Sequence, residues 1–295
     1  MYIFYLFLSL LALWYLVVFL SYRLSWNKIP NAKNKNDKDF VSVIVACRNE
    51  EGNIANLIQQ IKTQNFDKER FEMIAVNDHS TDTTLQILEK EAAIWHKLKV
   101  VCLNEGEVGK KSAIEKGILF AKGDIILCTD ADCSVGRNWI VSIVNYFSDE
   151  KIKMVSAPVV FENKKGIFQQ LQALEFLSLI GSGAAAISRG KSIFCNGANL
   201  AYRKSVFLEV NIFDNNTVSG DDVFLMHHIK KKYADGILFA KDKDVIVKTS
   251  SQPNLKAYIN QRKRWAAKSK AYKDFDTIVI SILIFLMNVS ITALF

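Results

Sequence analysis

The chain is 295 residues long, half of them hydrophobic, and carries a formal net charge of +8. That length admits one sizeable domain with membrane segments, or two small domains. The positive surplus is not gathered into one tract, and anionic lipid together with a diphosphate-bearing ligand accounts for it without nucleic acid. Five cysteines with no CxxC pair argue against a disulfide framework and offer no zinc-ligand spacing. Cys47, Cys102 and Cys128 fall in or at the ends of apolar runs and are expected as small buried residues in a reducing compartment.

Residues Met1 to Tyr22 are apolar and uncharged. At about 1.5 Å per residue, roughly 20 residues cross a hydrocarbon core about 30 Å thick, so this run is expected to span a bilayer. It lacks the leading positive charge and the cleavage site of a signal peptide, which favours a retained anchor. Arg23, Lys28, Lys33, Lys35 and Lys38 follow it, and Lys268, Lys270 and Lys273 precede a second apolar run from Thr277 to Phe295. Positive flanks mark the cytoplasmic side, so the region between them is expected in the cytoplasm. The expected organisation is an anchor over 1–22, a basic linker over 23–39, a cytoplasmic domain over 40–273 and a membrane segment over 277–295. The last reads as a second span or as the first part of a larger membrane region.

Between these flanks, Phe40 to Ala46 is a short β-branched run, the pattern of a buried parallel strand. Asn53 to Thr63 carries Ile54, Leu57, Ile58 and Ile61 at helical spacing. Phe71 to Val76 predicts a strand, and Ser80 to Trp95 a helix opened by the capping residues Ser, Thr and Asp. Leu98 to Leu103, Lys110 to Ala121 and Asp124 to Thr129 continue as strand, helix and strand. This alternation predicts an α/β domain with a mostly parallel sheet. Farther on, Arg137 to Phe147 reads as a helix and Met154 to Phe161 as one strand. Phe168 to Ile187 reads as a packed or interfacial helix, because Gln169, Gln170, Gln172 and Glu175 interrupt its apolar character.

Ligands of such sheets bind beyond the carboxyl ends of the strands. Three polar clusters fall there: Cys47-Arg-Asn-Glu-Glu51, Asn77-Asp-His-Ser80 and Thr129-Asp-Ala-Asp132. Asp130 and Asp132, one residue apart, are suited to share Mg²⁺ or Mn²⁺, which prefer oxygen ligands and bridge to phosphates. Asp78 reads as a contact for a base or ribose, or as a helix cap. Gly220-Asp-Asp222 precedes the helical spacing Val223, Phe224, Leu225 and Ile229, and offers either a carboxylate for proton abstraction or a helix start favoured by the dipole. In Gln261-Arg-Lys-Arg-Trp265, helical spacing puts Gln261, Arg264 and Trp265 on one face, suited to phosphate and a sugar ring, or to a basic interfacial helix. Lys110, after Gly109, could set an ammonium beside phosphate, but the full GxxxxGK[ST] spacing of an ATPase is absent. His79, His96, His227 and His228 show no metal-ligand arrangement.

Taken in order, Val43-Ile-Val-Ala-Cys-Arg-Asn-Glu-Glu51, Asn77-Asp-His-Ser-Thr-Asp82, Gly109-Lys-Lys-Ser-Ala113, Thr129-Asp-Ala-Asp132, Gly220-Asp-Asp222 and Gln261-Arg-Lys-Arg-Trp265 resemble the signature of family 2 glycosyltransferases. The resemblance runs from about Val41 to Tyr272 and is nearest to the membrane-integrated branch of polysaccharide synthases and ceramide glucosyltransferases. It implies a GT-A fold and an inverting transfer from a nucleotide sugar, often UDP-linked, to a lipid or glycan acceptor. It further implies that Asp78 contacts the nucleobase, that Asp130 contacts ribose or diphosphate, and that Asp132 holds a divalent metal. Glu50 and Lys110 join the donor site. Gln261 and Arg264 contact the diphosphate, and Trp265 the acceptor. The general base falls to Asp222 or to its neighbour Asp221. Two other readings are a membrane-tethered nucleotide-sugar-binding subunit and a sugar-phosphate nucleotidyltransferase. The second lacks its glycine-rich loop here, and the first has no use for a base.

Overall fold

The computed structural model describes residues 2–32, 34–162, 165–210, 221–233, 235–269 and 272–293. The first apolar run forms helix α1 (Tyr2–Trp26). A short irregular stretch follows, and it is not loose. Ile29 and Asn36 are buried, and the Asn36 amide donates to Asn145 Oδ1 at 3.0 Å while Arg70 donates to the carbonyls of Asn36 and Asp39.

The domain then alternates as its hydrophobic pattern requires: β1 (Val41–Cys47), α2 (Ile54–Lys62), β2 (Phe71–Asn77), α3 (Thr84–Ile94), β3 (Leu98–Cys102), α4 (Gly109–Phe120) and β4 (Ile125–Asp130). These four strands are parallel. Every residue of β2 is buried, which is why Met73–Val76 is continuously apolar rather than alternating, while the buried Glu72 accepts from Ser42 Oγ at 2.7 Å. Helix α4 lies so close to the sheet that a Cβ at Gly117 would stand 2.7 Å from Ile44 Cγ2. Cys102, expected inside, is exposed, because β3 is the edge strand of the sheet.

After α5 (Trp139–Val144), which ends in a 3-10 turn over Asn145–Ser148, the expected strand from Met154 to Phe161 is two strands, β5 (Met154–Ser156) and β6 (Val159–Phe161). Pro158 lies between them and has no N–H to continue a ladder. Then come α6 (Ile167–Ile187), β7 (Leu200–Arg203), α7 (Lys204–Val210), α8 (Asp221–Lys232), β8 (Ile237–Phe239), β9 (Val247–Thr249), α9 (Leu255–Ser269) and α10 (Phe275–Thr292). The main sheet runs β3-β2-β1-β4-β7-β5-β8, with β7 antiparallel to both neighbours, and β6 pairs with β9 in a separate two-stranded sheet.

Helix α6 is a packed helix, as expected: Phe176, Ile180 and Ala184 are buried, while Leu171, Leu174 and Leu177 remain outside. Helices α1 and α10 are long and apolar enough to cross a membrane. They touch each other, and α1 also packs on α6, where Ser188 donates to the Ser25 carbonyl at 3.1 Å and Arg189 donates to Ser21 Oγ.

Candidate active site

Strand register decides which carboxylates meet. Cys47 lies opposite Asn77, and Ala46 opposite Asp130. Asp78 and Asp130 therefore leave the carboxyl edge of the sheet on either side of β1.

Asp78 is 4% exposed. Its Oδ2 accepts from the Gly109 amide at 3.0 Å and from Arg48 Nη1 at 3.5 Å. Gly109 has φ 89°, a conformation open to glycine, and this aims its N–H at the carboxylate. The other oxygen, Oδ1, is buried with no hydrogen-bond partner among the described residues. An unmatched buried acceptor costs about 1–3 kcal/mol, so this oxygen is ready for a donor that a ligand brings.

Of the polar residues expected to cap α3, Asp82 does so, its Oδ1 accepting from the Thr84 amide at 2.9 Å, and the others do something else. Helix α3 starts at Thr84, and Thr83 makes no side-chain cap. Asn49, at φ 57°, accepts from Thr81 N at 2.8 Å. Glu51 accepts from Thr83 N and Oγ1 at 3.0 and 2.6 Å, and the Glu50 amide donates to Thr84 Oγ1 at 2.7 Å. Two turns thus clasp each other across the sheet edge, which fixes the backbone at Glu50.

Lys110, the second residue of α4, forms an ion pair with Asp130. Desolvation works against its charge, but Asp130, with Asp222 contributing, outweighs that and raises its pKa, so it remains cationic. Asp132 accepts from Thr249 Oγ1 at 3.2 Å. Desolvation, then the charge of Asp130, pushes the Asp132 carboxyl up, and desolvation with Asp132 and Asp130 does the same to Glu50. Asp130 and Asp132 thus act on Glu50, Asp130 acts on Asp132, and Asp130 and Asp222 act on Lys110, so these side chains lie within electrostatic reach of one another.

Asp222, at the start of α8, has one oxygen on the Gly197 amide at 2.8 Å and the other on the Val223 amide at 3.0 Å. Cys195 donates to its carbonyl at 3.2 Å. The side chain of Asp221 lies outside the described residues. Burial, then Asp222, pushes Tyr272 up to about 12, which puts that phenol near the same carboxylate. Helix α8 is in turn tied to α10: Lys230 donates to Asp274 and Asp276 at 2.8 Å each, and His227 Nε2 lies 3.0 Å from Thr277 Oγ1.

The expected α9 residues make their contacts with α6 and with their own helix. Arg264 is exposed, and Gln261 Oε1 accepts from Arg262 at 2.8 Å. Trp265 packs 6.1 Å from Phe176 between ring centroids, with the Arg262 guanidinium 4.2 Å above its ring. One face of the indole expected to meet a sugar is thus covered by a residue of its own helix. Among the described residues, none of the expected site residues lines the cleft of about 440 Å³ between α6 and the β6–β9 pair. Burial pushes the thiols of Cys47, Cys128 and Cys133 up, leaving them protonated beside the carboxylates.

Among the described residues no three His, Cys, Asp or Glu side chains form a metal cage. Asp130 and Asp132 still fit a divalent cation. Their charges disfavour each other, and an ion that takes phosphate oxygens for the rest of its shell needs only about one or two carboxylates. The sequence did not point to Thr249, Gly197, Tyr272 or Glu175 as site residues. The Asn196-Gly197 dipeptide is a turn signal, but a loop's partner is set by tertiary packing.

The model of the family described as "Glycosyl transferase family 2" matches residues 42–210. Poly-beta-1,6-N-acetyl-D-glucosamine synthase of Staphylococcus aureus (strain MSSA476) is 28% identical over 205 residues, 68% of this chain and 48% of that protein. The chain thus spans about half the length of these curated relatives. Glycosyltransferase AglE of Haloferax volcanii is 27% identical over 214 residues, 69% of this chain and 65% of that one. Among solved structures, the mannosyltransferase PcManGT of Pyrobaculum calidifontis in complex with GDP-Man and Mn2+ matches with a TM-score of 0.66 at 20% identity, over 88% of this chain and 71% of that chain. Staphylococcus aureus TarS in complex with UDP-GlcNAc matches with a TM-score of 0.53 at 22% identity, over 74% and 60%. At such identities the structures speak for the fold, and that fold is the GT-A type.

Proposed function

This chain belongs to glycosyl transferase family 2 and is a glycosyltransferase, and from that premise we propose that it moves a sugar, with inversion, from a nucleotide sugar to a lipid or glycan acceptor at a membrane. UDP-linked donors are the first choice. The observation that carries this reading is Lys110, paired with Asp130 while the charge of Asp222 also acts on it. That influence supports a cation for a leaving diphosphate acting together with a carboxylate for an acceptor proton.

In this reading the unpartnered Oδ1 of Asp78 accepts an N–H of the nucleobase. Glu50 and Asp130 hold ribose and diphosphate, with Gln261 and Arg264 reaching the diphosphate from α9. Asp132 and Asp130 hold a magnesium or manganese ion, which when bound offsets charge on the diphosphate. Asp222 accepts the proton of the acceptor hydroxyl as its oxygen attacks the anomeric carbon, and the bond from that carbon to the diphosphate oxygen breaks. The diphosphate leaves against Lys110, a contribution of about 3–4 kcal/mol for one well-placed donor. Trp265 flanks the acceptor. Asp221 remains the second candidate for the base.

Helices α1 and α10 are proposed to cross the bilayer, with residues 40–273 on the cytoplasmic side. The ties from α8 to Asp274 and Asp276 at the head of α10 support a site beside the membrane.

The test is turnover by the purified full chain with UDP-N-acetylglucosamine or GDP-mannose, with Mg²⁺ or Mn²⁺, and with membranes as acceptor source. Metal-dependent release of nucleoside diphosphate is expected, and Asp132→Ala is expected to abolish it. Full activity of that variant in chelator would end the metal assignment, and no turnover of any nucleotide sugar would reject the reading.

A further inference from the structure

Arg262 was not among the expected site residues, yet it is the most engaged side chain of α9. Its guanidinium donates through two nitrogens to both oxygens of Glu175 on α6, at 2.9 Å for the Nε–Oε1 bond. The same plane lies 4.5 Å from the ring centroid of Tyr258 and 4.2 Å from that of Trp265. A third donation, from Nη1, reaches Gln261 Oε1 at 2.8 Å. Tyr258, Arg262 and Trp265 recur at helical spacing and meet a matching row on α6: Phe168 against Tyr258, Glu175 against Arg262, and Phe176 against Trp265.

That row continues to the carboxylates. Phe176 stacks on Phe161 at 4.5 Å and 17°. Phe161 pairs with Thr249 across β6 and β9, and Thr249 donates to Asp132. The orientation of α9 is thus built into the same packed unit as Asp132, and among the described residues Arg262 is the one charged link in it between α6 and α9.

Resting on the functional reading above, we propose that Arg262 is a positioning residue: clamped by Glu175, it holds the indole of Trp265 in place at the acceptor end of the site, with the amide of Gln261 fixed beside it. It touches neither donor nor acceptor. Lysine cannot replace it, because a point charge gives neither the two-pronged pair with a carboxylate nor a flat surface to lie between two rings.

The experiment uses the full chain in membranes with radiolabelled UDP-N-acetylglucosamine or GDP-mannose. It compares sugar incorporated into membrane material with free sugar released to water. A misplaced acceptor platform should lower incorporation more than hydrolysis, whereas loss of folded protein lowers both equally. For Arg262→Lys and for Glu175→Gln, the ratio of transfer to hydrolysis is expected to fall about tenfold to a hundredfold. The double variant is expected to be no worse than either single one, since both break the same clamp. A wild-type ratio in both single variants, or equal losses of transfer and hydrolysis, overturns the proposal. Unaltered protein that turns over no nucleotide sugar overturns the functional reading instead, and the proposal with it.

Discussion

The Gly197 amide donates to Asp222 Oδ2 at 2.8 Å, and a Cβ at position 197 would stand 3.3 Å from that oxygen. The carboxylate therefore rests on bare backbone, oriented by a loop more than 20 residues upstream in sequence. Asp222→Asn preserves that shape and keeps an acceptor oxygen for the Gly197 amide, at the cost of the one on the Val223 amide, and removes the proton acceptor. Transfer is expected to fall by about 10²–10⁴-fold, with nucleoside diphosphate affinity nearly unchanged. Calorimetric binding and product formation, measured side by side, check this. Normal transfer would move the role to Asp221.

Asp78 offers a second, separable prediction. Its buried Oδ1 lacks a partner among the described residues, while Oδ2 holds the Gly109 amide. A hydrogen bond to a charged group is worth about 1.5–3 kcal/mol, which corresponds to roughly a 10- to 150-fold weaker nucleoside diphosphate in Asp78→Ala. Titration of UDP and GDP against the variant measures it. Unaltered affinity for both would place the base elsewhere.

Stability depends on a close approach at the opposite end of the sheet. A Cβ at Gly123 would meet Ser42 N at 2.5 Å and Ile125 O at 2.9 Å, and the Gly123 amide donates to Ser42 Oγ at 2.8 Å. Backbone atoms cannot step aside as a flexible side chain can. Gly123→Ala is expected to destabilise by about 1–3 kcal/mol or more, read as a lower thermal midpoint. Gly52→Ala, where a Cβ meets nothing within 4 Å, is the control and should melt like the parent.

His227 predicts a pH dependence. Burial pushes it down to about 4 from an ordinary 6.5, with Asp274 opposing and Lys230 and His228 adding to the shift. The folded chain therefore resists protonation that the unfolded chain accepts. The contribution to stability is full above pH 6.5 and is lost as pH falls toward about 4. Thermal midpoints of the full chain across that range should drop less for His227→Gln than for the parent. Parallel curves would remove His227 from the account.

The chain order of strands and helices was legible because fully buried parallel strands must be continuously apolar, and their covering helices must repeat near every third and fourth residue. The carboxylates at strand ends were legible for the same reason: Asp78, Asp130 and Asp132 directly follow or close buried runs. The exposure of Cys102 and the clasp between residues 49–51 and 81–84 were not, because each depends on a neighbour distant in sequence, whereas the break at Pro158 has a local cause, the missing proline N–H.

By itself the sequence determined an α/β domain between two apolar helices, and the residue types that carry the chemistry, since both follow from local periodicity and local charge. Only the tertiary structure decided that Gly197 seats Asp222, that Thr249 holds Asp132, and that Arg262 rather than Arg264 joins α9 to α6. Those pairings depend on strand register and helix packing, which bring together atoms that no short stretch of sequence contains.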